Sequence, residues 1–267
     1  MENKIHLWQG QWIDDAELRL RSENLALFAQ ETFAGNFPTT EFLDACNRMG
    51  NELKHKGKLY NELLDAAIVN KKMSREEIAS MFEVITGFMN KDVLVKKMVM
   101  ELGTDEPFEI KRNNFKEHQF EGYAPLGTVV HIAPSNVFTV SVLCLVEGLL
   151  TGNMNFLKTS AAETLLPQVF FSKLFEFDKS GKVKNYVIIA RISSKESDLL
   201  RQILSHADGV SAWGSEEAIK SLSEMAPDNT KFIKWGHKIS FGYISREMFE
   251  DEAELSEMAK DVCRIEQ

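Results

Sequence analysis

From about Gly122 onward, apolar β-rich runs alternate with helical stretches, and this rhythm constrains the fold more than any other feature of the chain. Residues 127–133 read as a buried strand, 134–136 as a turn, 137–150 as a helix and 152–153 as its stop. A strand at 155–158 follows, then a helix running through about residue 177, a strand at 186–192 and a helix at 194–206. Strand 210–213, helix 215–225 and strand 232–235 continue the series, with a further strand expected within 238–245 and a closing helix over 252–266. Strands separated by helices of roughly 10–15 residues call for right-handed βαβ crossovers and a mainly parallel sheet. The expectation is a doubly wound α/β domain.

Ahead of residue 120 the pattern is helical. Phe42, Cys46, Met49 and Leu53 recur at spacings of four, three and four, which places them on one helical face. Ser74 followed by Glu77 fits a capping box, after which Ile78, Met81, Phe82 and Ile85 carry one apolar stripe. The expected organisation is therefore a helical region over 1–120, part of or packed on an α/β domain over 121–267.

With 31 basic and 40 acidic side chains the net charge is −9, which argues against a broad basic surface for nucleic acid or anionic lipid. The most apolar window, 137–150, contains Glu147 and is too short to span a bilayer. Residues 1–10 lack the basic start and apolar run of a signal peptide. Cys46, Cys144 and Cys263 lie far apart without a CxxC pair, so a reducing cytoplasm is the expected setting.

In a doubly wound sheet, ligands bind beyond the carboxyl ends of the strands, where turns meet helix N-termini. Four turns qualify: Pro134-Ser135-Asn136, Lys158-Thr159-Ser160, Gly214-Ser215 and Gly236-His237. An amide donor at Asn136, an ammonium at Lys158 and a helix start at Ser215 suit a phosphorylated cofactor. Taken singly, each also fits a plain N-cap or a solvated lysine. No GxGxxG follows a strand, and GxxxxGK[ST] and GxSxG do not occur. The six histidines show no HExxH or helical pairing, and no metal site is expected.

Three segments, Gly127-Thr-Val-Val-His-Ile-Ala-Pro-Ser-Asn136, Gly148-Leu-Leu-Thr-Gly-Asn153 and Asn155-Phe-Leu-Lys158, resemble the cofactor domain of the aldehyde dehydrogenase superfamily. Val210-Ser-Ala-Trp-Gly-Ser-Glu-Glu-Ala218, Trp235-Gly-His-Lys-Ile-Ser240 and Ala259-Lys-Asp-Val-Cys-Arg-Ile-Glu-Gln267 extend the likeness. Together they are most similar to the acyl-CoA reductase branch, which includes the fatty-acid reductase component of bacterial bioluminescence. The resemblance implies a Rossmann-like cofactor domain that binds NADPH or NADH. It also implies a cysteine thiolate that accepts an acyl group, and reduction of that thioester to a fatty aldehyde.

Carried over by motif, Asn136 matches the side-chain donor of an oxyanion hole, the catalytic role assigned within this chain. Lys158 matches the lysine at the adenosine ribose or its 2′-phosphate. Gly214 and Ser215 match the turn at the pyrophosphate, and Gly236 the glycine beside the nicotinamide. Pro134, Ser135 and Ser160 complete the implied cofactor-binding set. Three positions depart from the family pattern. Ser135 replaces a tryptophan, Ala161 replaces the glutamate that selects against a 2′-phosphate, and Lys234 stands where hydrolytic members carry a general-base glutamate. Without that carboxylate, activating water is handicapped and transfer to or from a thiol is favoured.

The resemblance places the nucleophilic cysteine just past Gln267, so the chain is expected to stop short of its catalytic domain and not to turn over by itself. Cys263 sits in an amphipathic stretch with Leu255, Met258 and Val262, and Cys144 in the apolar helix, so both are expected to pack rather than react. The implied substrate is acyl-CoA or another acyl thioester, with a homo-oligomer or an acyl-transferring protein as partner. A non-catalytic nucleotide-binding or oligomerisation module, and a related acyl-phosphate reductase, are the alternatives.

Overall fold

The computed structural model describes residues 4–68, 74–112, 120–134, 138–161, 164–236, 243, 245 and 252–265, the side chains of the final helix only as far as Lys260. Two compact units result, Met1–Gly236 and His237–Gln267.

The first unit is built on one seven-stranded sheet of order β2-β1-β7-β6-β5-β8-β9. Its parallel part comprises β5 (Thr128–Ile132), β6 (Met154–Ser160), β7 (Val187–Ile192), β8 (Gly209–Trp213) and β9 (Lys231–Trp235). The crossovers are α7 (Phe138–Leu150), α8 (Leu166–Phe177), α9 (Ser197–Leu204) and α10 (Glu216–Met225). The chain moves outward from β5 through β6 to β7, then returns to the other side of β5 for β8 and β9. That reversal makes the gap between β5 and β8 the topological switch point. The strands and helices after residue 122 agree with the expected series to within a few residues.

The other two strands were not expected. β1 (His6–Trp8) and β2 (Gln11–Ile13) form a hairpin that joins the β7 edge, with Leu7 opposite Ile189 and Trp8 opposite Ile188 in antiparallel register. Gln9 and Gly10 both take positive φ, 48° and 83°, as a type I′ connection demands. The sheet is therefore mixed.

Among the described residues of the segment that follows there are six helices: α1 (Asp15–Glu23), α2 (Leu25–Phe33), α3 (Thr39–Lys54), α4 (Lys58–Ile68), α5 (Arg75–Phe88) and α6 (Lys91–Leu102). The expected face of α3 is buried at Phe42, Cys46, Met49 and Leu53. The capping box is present, with Ser74 Oγ accepting from the Glu77 amide at 3.2 Å and Glu77 Oε2 accepting from the Ser74 amide at 2.6 Å. α3 to α6 pack with α7 and α8 on one face of the sheet, and α1, α2, α9 and α10 cover the other, so a core lies on each side. A two-stranded ribbon, β3 (Lys111–Arg112) with β4 (Phe120–Glu121), stands apart from the main sheet.

Close packing of α7 on β6 depends on Gly148. A Cβ there would lie 1.9 Å from Asn155 Oδ1, well inside contact distance. The second unit contributes α11 (Glu252–Ile265), whose Glu252 and Glu254 complement the positive end of the helix. Leu255 and Met258 share its half-buried face. The further strand expected within 238–245 lies outside the described residues, apart from the isolated Tyr243 and Ser245.

Candidate functional site

All the described members of the four expected turns lie at the carboxyl rim of the parallel strands. Pro134 follows β5, Lys158 and Ser160 close β6, Gly214 and Ser215 follow β8, and Gly236 follows β9. Ser135, Asn136 and His237 lie outside the described residues.

Register fixes the face that each side chain uses. Lys158 is level with Ala190 on β7 and Ile132 on β5; Ile132 is level with Ala212 on β8, and Ala212 with Lys234 on β9. Ala190, Ile132 and Ala212 all belong to the core under α9 and α10. Side chains in one row of a parallel sheet share a face, so Lys158 and, two residues on, Ser160 project toward α9 and α10. Both are half-buried. The N-terminus of α10 lies on that same side, with Ser215 as its N-cap accepting from the Ala218 amide at 3.3 Å.

The donor set of an ammonium, two hydroxyls and a helix start has the chemistry of a site for an adenosine phosphate. Glu216 and Glu217, exposed in the first turn of α10, oppose it by already complementing the helix end. Glycine at 214 has a local reason, because a Cβ would press on the Ala218 Cβ at 3.3 Å. At Gly236 a Cβ would meet only Ile219 Cδ1 at 3.8 Å, so no steric demand within the described residues requires glycine there.

The opposite face of the same strands carries groups outside the expected cofactor-binding set. Trp213 and Trp235 stack with ring centroids 5.1 Å apart and planes inclined by 11°, and Trp235 Nε1 donates to Ser211 Oγ at 3.0 Å. Beside them, the Cys144 thiol on α7 is pushed up to about 11, chiefly by burial and then by the Glu147 charge. Burial also pushes the Cys46 thiol far up. Neither is a thiolate near neutral pH, and the inertness expected of Cys144 has this physical basis. The side chain of Cys263 lies outside the described ones.

Below this, His131 is buried in β5 with Nε2 3.0 Å from Asn155 Oδ1. The Asn155 amide is oriented by its own bond from Nδ2 to the Asn153 carbonyl at 2.7 Å, so His131 Nε2 carries the proton and donates. Nδ1 has no partner among the described residues, and burial lowers the imidazole pKa to about 4. Among the described residues no three His, Cys, Asp or Glu side chains converge as metal ligands would. No helix among them is long and apolar enough to cross a membrane. A separate cavity of about 830 Å³ opens at the amino end of the strands, beside Phe33, Phe37, Phe108, Tyr123 and Tyr186, away from the rim.

The order of the parallel strands, the reversal beside β5 and the flanking helices define a protein of the aldehyde dehydrogenase fold. A benzaldehyde dehydrogenase from Corynebacterium glutamicum, described as NAD-dependent, superposes on 89% of the chain and 53% of its own with a TM-score of 0.59 at 16% identity. Betaine aldehyde dehydrogenase from Staphylococcus aureus, solved in complex with NAD+, gives 86%, 49%, 0.65 and 15% for the same measures. Within that fold the chain belongs to the acyl-CoA reductase (LuxC) family, whose model matches residues 34–267. A long-chain acyl-protein thioester reductase from Photobacterium leiognathi is 28% identical over 144 residues, which is 54% of this chain and 30% of the relative. The chain thus matches under a third of the length of the curated relatives.

Proposed function

We propose that this chain is the cofactor-binding portion of an NAD(P)H-dependent acyl thioester reductase that forms a fatty aldehyde. The observation that carries the reading is the convergence of Lys158, Ser160, Gly214 and Ser215 at one rim of the switch-point sheet in a chain of the acyl-CoA reductase family. Lys158 and Ser160 would hold the adenosine end of the dinucleotide, and the turn at Gly214 and Ser215 its pyrophosphate. Asn136 would donate to the developing oxyanion, an interaction that can be worth about 3–4 kcal/mol. Bound nicotinamide would supply the hydride. The hydride would add to the thioester carbonyl to give a tetrahedral alkoxide, held by the Asn136 amide, and collapse of that adduct would break the C–S bond, releasing the aldehyde and the thiolate.

The alanine at 161 and the lysine at 158 favour a 2′-phosphate over a free ribose, so NADPH is the preferred form in this proposal. The lysine at 234, where a general base would stand, favours acyl transfer to and from thiols over hydrolysis. The substrate is acyl-CoA or a protein-borne acyl thioester, met in the cytoplasm. Among the described thiols, Cys46 and Cys144 are both protonated near neutral pH and neither serves as the acyl-accepting nucleophile, so in this proposal these 267 residues bind cofactor without turning over.

Titration calorimetry with NADPH and NADH tests this. Saturable heat is expected, stronger for NADPH, and Lys158→Ala should weaken NADPH binding about tenfold, the loss of one charge-assisted contact. No saturable heat for either dinucleotide would leave only a scaffold. Steady-state reduction of an acyl-CoA by these 267 residues would overturn the claim of inactivity.

A further inference from the structure

We infer that Arg191 is a positioning residue for the cofactor-binding end of β6, and that the N-terminal strand holds it in place through His6. The inference rests on reading Lys158 and Ser160 as cofactor ligands and deepens that reading.

The strand carrying Lys158 and Ser160 leaves the sheet at Ala161, an exposed residue beyond the last register pair of β6 with β7. Its carbonyl is held from the neighbouring strand. Arg191 Nε donates to Ala161 O at 2.8 Å, and Arg191 Nη2 donates to the same oxygen. One carbonyl thus receives two donors from a single planar cation, which fixes direction as well as distance. Arg191 is level with Thr159, so its side chain starts from the sheet face opposite Lys158 and Ser160. It grips the backbone from behind and leaves the ligand face clear. An arginine that bound the phosphate directly would sit in the Lys158 row; this one acts on the peptide that follows Ser160.

Arg191 is itself anchored. The pairing of β1 with β7 stops at Leu7 opposite Ile189, so the Arg191 amide would be left without a strand partner. The buried imidazole of His6 fills that place, its Nδ1 accepting the Arg191 N–H at 3.1 Å. Because Nδ1 accepts, the proton is on Nε2, which donates to Asp15 Oδ1 at 2.9 Å. Asp15 is the first residue of α1. The chain of contacts therefore runs from the start of α1 through His6 and Arg191 to the carbonyl three residues past Lys158. Its signal in the sequence is a lone cation in the apolar run Ile188-Ile189-Ala190-Arg191-Ile192.

Arg191→Met and Arg191→Lys, made in the full 267-residue chain, test this by NADPH calorimetry and by hydrogen–deuterium exchange of the peptide spanning 158–161 without ligand. Arg191→Met should weaken NADPH binding about tenfold, as expected when the charge-assisted contact of a displaced Lys158 is lost. It should also speed exchange at the end of β6 while the melting temperature stays within a few degrees. Arg191→Lys keeps the charge and loses the fork, so it should restore less than half of the lost binding free energy. His6→Gln, which can still accept and donate, should bind nearly as wild type, and His6→Ala should show the Arg191→Met defect without adding to it. Full rescue by lysine, or an Arg191→Met protein that binds and exchanges as wild type, overturns the inference. If wild type itself shows no saturable heat, the cofactor reading fails. The exchange data still separate the two, because unchanged exchange shows that Arg191 does not hold this strand end.

Discussion

At the residue scale, His131 has the most direct consequence. Its bond to Asn155 fixes the neutral tautomer, and a proton added to Nδ1 would meet no acceptor among the described residues. The folded pKa of about 4 lies below the ordinary 6.5, so between these values the unfolded chain binds more protons than the folded one. Stability is accordingly complete above pH 6.5 and lost as the pH falls toward 4, by about 3 kcal/mol from this group. His6 is shifted in the same direction by burial, against the opposing pull of Asp15. Urea midpoints measured at pH 7 and pH 4.5 for wild type and His131→Gln isolate the contribution. The variant should be less stable at pH 7, and its further loss on acidification should be smaller. Equal acid losses in the two proteins would sink this assignment. A histidine in a strand is visible in the sequence. Its partner is not, because Asn155 meets it only through the register of β5 with β6.

At the scale of elements, the alternating half of the chain was legible because each strand there is an apolar run followed by a polar turn. The hairpin of β1 and β2 was not. Its strands are three residues each, and Gln9-Gly10 is a weaker turn signal than Asn-Gly or Asp-Gly. The rim turns were legible as positions, yet which sheet face Lys158 or Arg191 uses is set by register. The contact of α7 with β6 is a third case: Gly148 read as part of a motif, and the structure supplies the reason for it. Gly148→Ala should force Asn155 to move, costing its bonds to His131 and Asn153. The expected loss is about 3 kcal/mol, or roughly 6–10 °C in melting temperature for a unit of this size. Differential scanning calorimetry reads it directly, and an unchanged melting temperature would mean that the helix can slide.

At the scale of the whole unit Met1–Gly236, one sheet separates two cores, and the N-terminal hairpin belongs to both. Leu7 is buried among α3 to α8, while Trp8 and Ile13 are buried with α1, α2, α9 and α10. The helical region expected over 1–120 is thus tied into the sheet at its outset. Removing residues 1–13 takes away Leu7, Trp8 and Ile13, each at most 1% exposed, along with β1, the antiparallel neighbour of β7. The truncated protein should lose its cooperative thermal transition and elute as aggregate in size-exclusion chromatography. A monomer that melts like wild type would show that β7 tolerates being an edge.

The four tryptophans fall at the two ends of the strand order, Trp8 and Trp12 on the hairpin and Trp213 and Trp235 on the last two strands. The second pair is stacked and sits one residue before Gly214 and Gly236, at the rim. Nature has in effect wired the sheet with two optical channels. Emission from Trp213 and Trp235, isolated by Trp8→Phe and Trp12→Phe, reports events at the switch-point crevice, and the complementary pair of substitutions reports the far edge. Whether occupancy at one end of the sheet is felt at the other can then be watched by light in a single cuvette.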